Sequence, residues 1–138
     1  MKLVVDSSVL IAALMRDSAV RELLLNPFFE FYVPEHCFEE IERHVDEISK
    51  RSVLSVQNVY LLLGILLASV QVVPAESILE WIGEAEKIMG KIDMDDVPFV
   101  ALALSFLNDG IWTEDRHFLK QRRVKVWLTR DLLKLIRE

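Results

Sequence analysis

Short Val- and Ile-rich runs, each cut off after a few residues and followed by a stretch of helical spacing, recur along the whole chain. Lys2–Val5 stops at Asp6, Phe28–Val33 at Pro34 and Val70–Val73 at Pro74, while Ile111–Thr113 and Val124–Trp127 close the series. A strand that is apolar at nearly every position must be covered on both faces, and strand–helix alternation supplies that cover through right-handed crossovers. The expected fold is therefore α/β, a three-layer α/β/α sandwich around a central, mostly parallel sheet of four to five strands. With no internal repeat or linker, residues 1–138 are expected to form one domain.

The intervening segments read as helices. Val9, Leu10, Ala13 and Leu14 recur at helical steps behind Ser7 or Ser8 as a cap, and Val20, Leu23 and Leu24 continue to the Asn26-Pro27 stop. Pro34 is expected to open a helix that turns Phe38, Ile41, Val45 and Ile48 inward, and Glu76–Met89 to form another, ended by Gly90. Asp93–Asp96 begins a helix that tolerates Pro98 in its first turn and faces Val100, Ala101, Leu104 and Leu107 to the core, before Asn108-Asp109-Gly110 turns the chain. A short helix over Asp115–Lys120 and a closing helix capped by Thr129 complete the pattern.

The stretch from Ser52 to Ala75 carries no charge, but Ser55, Gln57, Asn58, Ser69, Gln71 and Pro74 interrupt it, leaving a continuous apolar piece only over Val59–Ala68. That piece is too short to span a bilayer as a helix, so a non-membrane protein is expected. Its helix is apolar on most sides and calls for cover on two of them, for which a second copy of the chain is the natural source. Asp6 interrupts the apolar N-terminal run that a signal peptide needs, and a single cysteine, Cys37, excludes an internal disulfide; a cytoplasmic setting follows as the expectation.

Charge is unevenly placed. Residues 1–115 hold 20 acidic and 8 basic side chains, whereas residues 116–138 hold 2 and 8. In parallel α/β sheets, ligands bind beyond the carboxyl ends of the strands. Asp6 directly follows one strand, Asp115 follows another after one residue, Asp96 lies in the first turn of a helix, and Glu40 lies on the helix after the second strand. Clustered carboxylates repel one another and oppose ionisation, and a hard divalent cation, Mg²⁺ or Mn²⁺, relieves that cost. Such an ion acidifies water and stabilises charge on a phosphoryl group, so phosphodiester hydrolysis is the implied chemistry. Taken singly, each acid has a plainer role as helix cap or solvated surface group; their recurrence at the ends of different elements favours catalysis.

Four segments resemble the PIN domain, the nuclease family that includes the VapC-type toxins: Leu3–Leu10, Val33-Pro34 running to Glu40-Ile41, Asp93–Ala103, and Trp112–Phe118. The resemblance covers nearly the whole chain. It implies a compact three-layer domain, a Mg²⁺ or Mn²⁺ cofactor, an RNA substrate, a homodimer and, for a toxin, an antitoxin partner. By position it makes Asp6, Glu40, Asp96 and Asp115 the acidic quartet that is both catalytic and metal-binding, with Glu40 preferred over Glu39 because Ile41 follows it. Ser8, Asp93 and Thr113 take supporting places around the metal ligands. Glu114 and His117 depart from the pattern, standing where Asn or Gly and an acidic residue are frequent.

Beyond the quartet, Arg116, Lys120, Arg122, Arg123 and Lys125 form a basic cluster suited to RNA phosphates. His36, Cys37 and His44 lack a fourth ligand for zinc, and Trp81, Trp112 and Trp127 sit at spacings typical of core. A haloacid-dehalogenase phosphatase pattern needs a second Asp two residues after the first, where this chain has Ser8. The reading reached from sequence is a metal-dependent endoribonuclease of the VapC type. RNA processing without an antitoxin stands second, and a non-catalytic PIN-like binding module is the rival from outside the enzymes.

Overall fold

The computed structural model describes residues 1–137. Five parallel strands form one sheet: β1 (Lys2–Val5), β2 (Glu30–Pro34), β3 (Val70–Val73), β4 (Ile111–Trp112) and β5 (Val126–Trp127), in the order β3-β2-β1-β4-β5. The helices are α1 (Ser7–Leu14), α2 (Ser18–Leu24), α3 (Cys37–Ser52), α4 (Val56–Leu66), α5 (Leu79–Met89), α6 (Val97–Ser105) and α7 (Thr129–Arg137). The chain moves one way across the sheet from β1 to β3 and then crosses back to β4, so right-handed crossovers put helices on both faces. Accordingly α1–α4 and α7 pack among themselves on one face, while α5 packs on α6 and α6 lies across β1, β2 and β4 on the other. The three-layer sandwich expected from the alternation is the one observed.

β1 is the centre of the core. Leu3, Val4 and Val5 are fully buried, as are Phe31, Phe99 and Trp112 around them. β1 pairs with β2 through Leu3–Phe31 and with β4 through Val5–Trp112, which makes the β1–β4 junction the point where chain direction across the sheet reverses. A crevice opens at the carboxyl ends of the strands at such a junction. Gly110 makes the β4 entry possible: its φ of +126° is closed to side chains, and a Cβ there would stand 2.4 Å from the Lys125 carbonyl oxygen.

Several local expectations are corrected. Of the candidate caps for α1, Asp6 takes the place in preference to Ser7 or Ser8, accepting from the Ser8 N–H. Pro34 ends β2 rather than opening α3, which begins at Cys37 and so rotates Cys37 into the core and leaves Phe38 36% exposed. Leu107 lies beyond the end of α6 and is 92% exposed, and Leu104 is only partly buried. The segment before α5 and the one after Asp115 are 3₁₀ turns, Ala75–Ile78 and Arg116–Lys120. Thr129 is the first residue of α7 and not its cap; Asp131 reaches back to the Leu128 N–H instead, and the Thr129 hydroxyl accepts from the Trp112 indole. No single helix among the described residues is long and apolar enough to cross a membrane, and α3 and α4, apolar enough only as a pair, meet at 105°.

Candidate metal centre

Asp6 leaves β1 at the reversal point and is 2% exposed. Its Oδ2 accepts from the hydroxyls of Ser8 at 2.6 Å and Thr113 at 2.9 Å. Each hydroxyl in turn accepts a backbone N–H from the loop after β4: Glu114 donates to Ser8 at 3.0 Å and Asp115 to Thr113 at 2.8 Å. Two short relays thus lock the Asp115 loop to Asp6, while among the described residues none donates to Asp6 Oδ1. Burial pushes the Asp6 carboxyl up, against the pull of those hydrogen bonds, and the Asp115 charge adds to the upward push.

Asp93 and Asp115 share a device. Each caps the turn that follows it with one oxygen, Asp93 Oδ1 accepting from the Asp95 N–H at 3.0 Å and Asp115 Oδ1 from the His117 N–H at 2.9 Å. Each aims its other oxygen, Oδ2, to 3.4 Å from His117 Nδ1. Asp96 lies between them at the start of α6, 4% exposed, and its buried Oδ2 has no hydrogen-bond partner. Burial, reinforced by the charges of Asp6, Asp93, Asp115 and Glu40, pushes the Asp96 carboxyl up to about 8. Leaving such an oxygen dry and unpaired costs about 1–3 kcal/mol, a cost that an ion in the crevice removes. The donor oxygens of Asp93, Asp96 and Asp115 and a nitrogen of His117 all lie within 4.8 Å of one another. Hard oxygen donors at this spacing fit a small divalent cation.

Asp6 and Glu40 stand outside that tight set but inside its field. Glu40 is half-buried on α3, and burial followed by the Asp6 charge pushes it up to about 7. Glu39 is exposed and lines a separate groove with Glu42, Arg43 and Asp95, with Arg43 3.7 Å from Asp95. The geometry therefore puts Glu40, not Glu39, beside the crevice. Burial, then Glu40 and Asp6, push the Cys37 thiol up to about 12, which rules it out as a nucleophile.

The basic residues separate. Arg116 and Lys120 are exposed on the turn next to Asp115. Arg123 and Lys125 lie at the amino ends of β4 and β5, around Gly110 and Asp109, at the opposite end of the sheet from the carboxylates. Lys125 holds its amine 4.5 Å above the Trp127 ring. Arg130, which sequence reasoning passed over, lines a groove beside the crevice with Glu114, Arg116, Thr129 and Leu133. Its signal was position: it lies three residues beyond Trp127, the carboxyl end of β5. His117 is the other residue missed as a candidate donor, having registered only as a departure from an acidic pattern.

A family profile described as the PIN domain matches residues 4–136, essentially the whole chain. The chain belongs to the PIN-domain family. PIN domains are generally nucleases that use divalent metals, and the acidic cluster of this PIN domain is compatible with that chemistry. Among solved structures, PAE2754 from Pyrobaculum aerophilum is similar at 15% identity, with a TM-score of 0.65, over 100% of this chain and 91% of that one. At that identity the likeness concerns the fold alone. A comparison with curated proteins finds no match.

Proposed function

We propose that this PIN domain is a divalent-metal-dependent endoribonuclease that hydrolyses RNA phosphodiester bonds as a VapC-type toxin. The buried, unpartnered Asp96 oxygen, set among Asp93, Asp115 and His117 at the reversal point of the sheet, is the observation that carries the nuclease reading. Asp93, Asp96 and Asp115 would hold Mg²⁺ or Mn²⁺, with Asp6 and Glu40 supplying further negative charge from the buried side. When bound, such an ion supplies Lewis acidity toward a phosphoryl oxygen and lowers the pKa of water. Ser8 and Thr113 fix Asp6 in one orientation and tie the Asp115 loop to it, so the crevice keeps its shape without substrate. Arg116 and Arg130, which line one groove next to the Asp115 loop, offer cations to RNA phosphates.

RNA as substrate and the toxin assignment, with its antitoxin, are supported by the resemblance of the four sequence segments. A homodimer is supported by α4, whose outer face leaves Tyr60 43%, Leu61 62% and Ile65 65% exposed. The deciding experiment is a Mg²⁺ and Mn²⁺ titration of cleavage on a pool of short RNAs, with Asp6→Asn and Asp96→Asn beside the wild type. Cleavage that appears with metal and is lost in both variants supports the reading; equal cleavage by either variant overturns it.

A further inference from the structure

Beside the PIN-domain carboxylates, His117 Nδ1 lies 3.4 Å from the free oxygens of both Asp93 and Asp115. We propose that His117 donates Nδ1 to the cation held by Asp93, Asp96 and Asp115, making a mixed nitrogen–oxygen site that favours a first-row transition-metal dication over Mg²⁺. This rests on the metal-centre reading above and adds the identity of the ion class.

Three observations carry it. An Nδ1 atom bears at most one N–H, so it cannot serve two carboxylate oxygens in line at once, and 3.4 Å exceeds the about 2.7–2.9 Å of a charge-assisted hydrogen bond. The same spacing suits neighbouring ligands of one ion: bonds of about 2.1 Å put adjacent octahedral ligands about 3 Å apart and opposite ones about 4.2 Å apart. The four donors lie within 4.8 Å of one another, close enough to enter one such shell together. Independently, the Asp96 Oδ2 atom is buried and has no partner, although Asp96 is one of the four. An unpaired acceptor in the same pocket as a nitrogen poised between two carboxylates is the arrangement that a shared cation completes. Imidazole nitrogen binds transition metals well, whereas Mg²⁺ prefers oxygen, so the substitution of an imidazole for a carboxylate shifts the preference. The ring is also placed by its own backbone, since the His117 N–H is held by Asp115 Oδ1 at 2.9 Å.

The test uses Mn²⁺ as a spectroscopic probe on the full chain. Pulsed electron paramagnetic resonance of the Mn²⁺-loaded protein is expected to show modulation from a directly bound imidazole nitrogen. In His117→Asp, which restores an all-oxygen set, Mn²⁺ should remain bound without that modulation, and the Mg²⁺ concentration that displaces half of it should fall about tenfold. Circular dichroism confirms that the variant is folded, and His117→Gln provides a neutral second variant. Manganese bound without nitrogen modulation in the wild type, or modulation that persists in both variants and so comes from His36 or His44, overturns the role of His117 and leaves the carboxylate site standing. Manganese binding that is absent, or unchanged by Asp96→Asn, overturns the metal centre itself.

Discussion

The two ends of the sheet contain similar residues in opposite states. At the amino end, Asp109 accepts from the Lys2 N–H at 2.9 Å, its carbonyl accepts from the Trp127 indole at 2.8 Å, and its own N–H donates to Lys2 at 2.8 Å. Asn108 likewise uses its amide on the Ala103 and Phe106 carbonyls and its oxygen on the Gly110 N–H. That end is closed: its polar atoms are spent on holding strands in register. At the carboxyl end, Asp93, Asp96 and Asp115 crowd together with His117, inside the field of Asp6 and Glu40; Asp96 keeps an oxygen unpaired, and the repulsion is left unanswered by any Lys or Arg in the cluster. A fold retains such a cost where something outside the chain relieves it. Carboxylate count does not distinguish structural from functional acids here; the fate of each oxygen does.

The largest expected effect sets the two ends directly against each other. Asp96→Asn should lower metal-dependent RNA cleavage at least about 100-fold, since removing a ligand removes several kcal/mol of transition-state charge stabilisation. Asp109→Asn, the same chemical change at the closed end, should leave cleavage within about twofold while lowering stability by about 1 kcal/mol through the weakened Lys2 contact. Cleavage assays paired with denaturant melts measure both, and a comparable loss of activity in the two variants breaks the contrast.

Gly110→Ala probes the closed end alone. The added Cβ would enter a positive-φ conformation and meet the Lys125 carbonyl oxygen at 2.4 Å, at the junction of β4 and β5. A loss of about 3 kcal/mol, or about 10 °C in Tm, is expected. A variant that melts within 2 °C of the wild type, roughly the effect of an ordinary surface change, shows that this end has slack.

The pH dependence sharpens the open end. Asp96 and Glu40 are raised in the folded protein, to about 8 and about 7, from ordinary values of 3.8 and 4.5. The folded state therefore holds more protons than the unfolded one between about pH 4 and 8, and these groups make the metal-free protein lose stability as pH rises through that window. Asp96→Asn removes the larger part, and should raise the Tm of metal-free protein at pH 8 by about 3–8 °C while abolishing the gain from added Mn²⁺. Calorimetry at pH 5 and pH 8, with and without metal, reads both; a wild type whose Tm climbs steadily to pH 8 without metal contradicts the assignment.

The layer order and strand directions were legible because Val- and Ile-rich runs, helical steps and turn residues agree with one another over the whole chain. Helix phase was less so. Phe38 and Cys37 are both apolar, and only the start of α3 at Cys37 decides which points inward. In the candidate site, Asp6, Asp96 and Asp115 were visible because each follows a strand or opens a helix, positions where chain connectivity alone fixes direction. His117 and Arg130 were not, because their contribution depends on side-chain reach across elements: Nδ1 to two carboxylates, and the first turn of α7 folding beside the Asp115 loop. Arg123 and Lys125 follow Lys120 closely in sequence, and nothing in that spacing reveals that the chain crosses to the far end of the sheet before β5 starts at Val126.

The smallest expected effect concerns that separation of cations. Arg116 and Arg130 flank the open end, whereas Arg123 and Lys125 belong to the closed one, yet all four would count equally in a tally of charge. Binding of a short single-stranded RNA releases about 0.7 counterions per neutralised phosphate, so the slope of log K against log salt counts contacts. Replacing Arg116 and Arg130 by Ala should flatten the slope by about 1.4, and replacing Arg123 and Lys125 by Ala should change it by less than about 0.3. Equal flattening by both pairs means that RNA runs the length of the sheet edge, and the closed end then has a ligand after all. Flattening by the Arg123 and Lys125 pair alone places the RNA away from the carboxylates and removes the substrate from the proposed site. A slope that responds to Arg116 and Arg130 only ties the nucleic acid to the end where the acids are crowded, which is where the excess negative charge of the cluster makes a purely electrostatic RNA site least favourable and a cation between them most necessary.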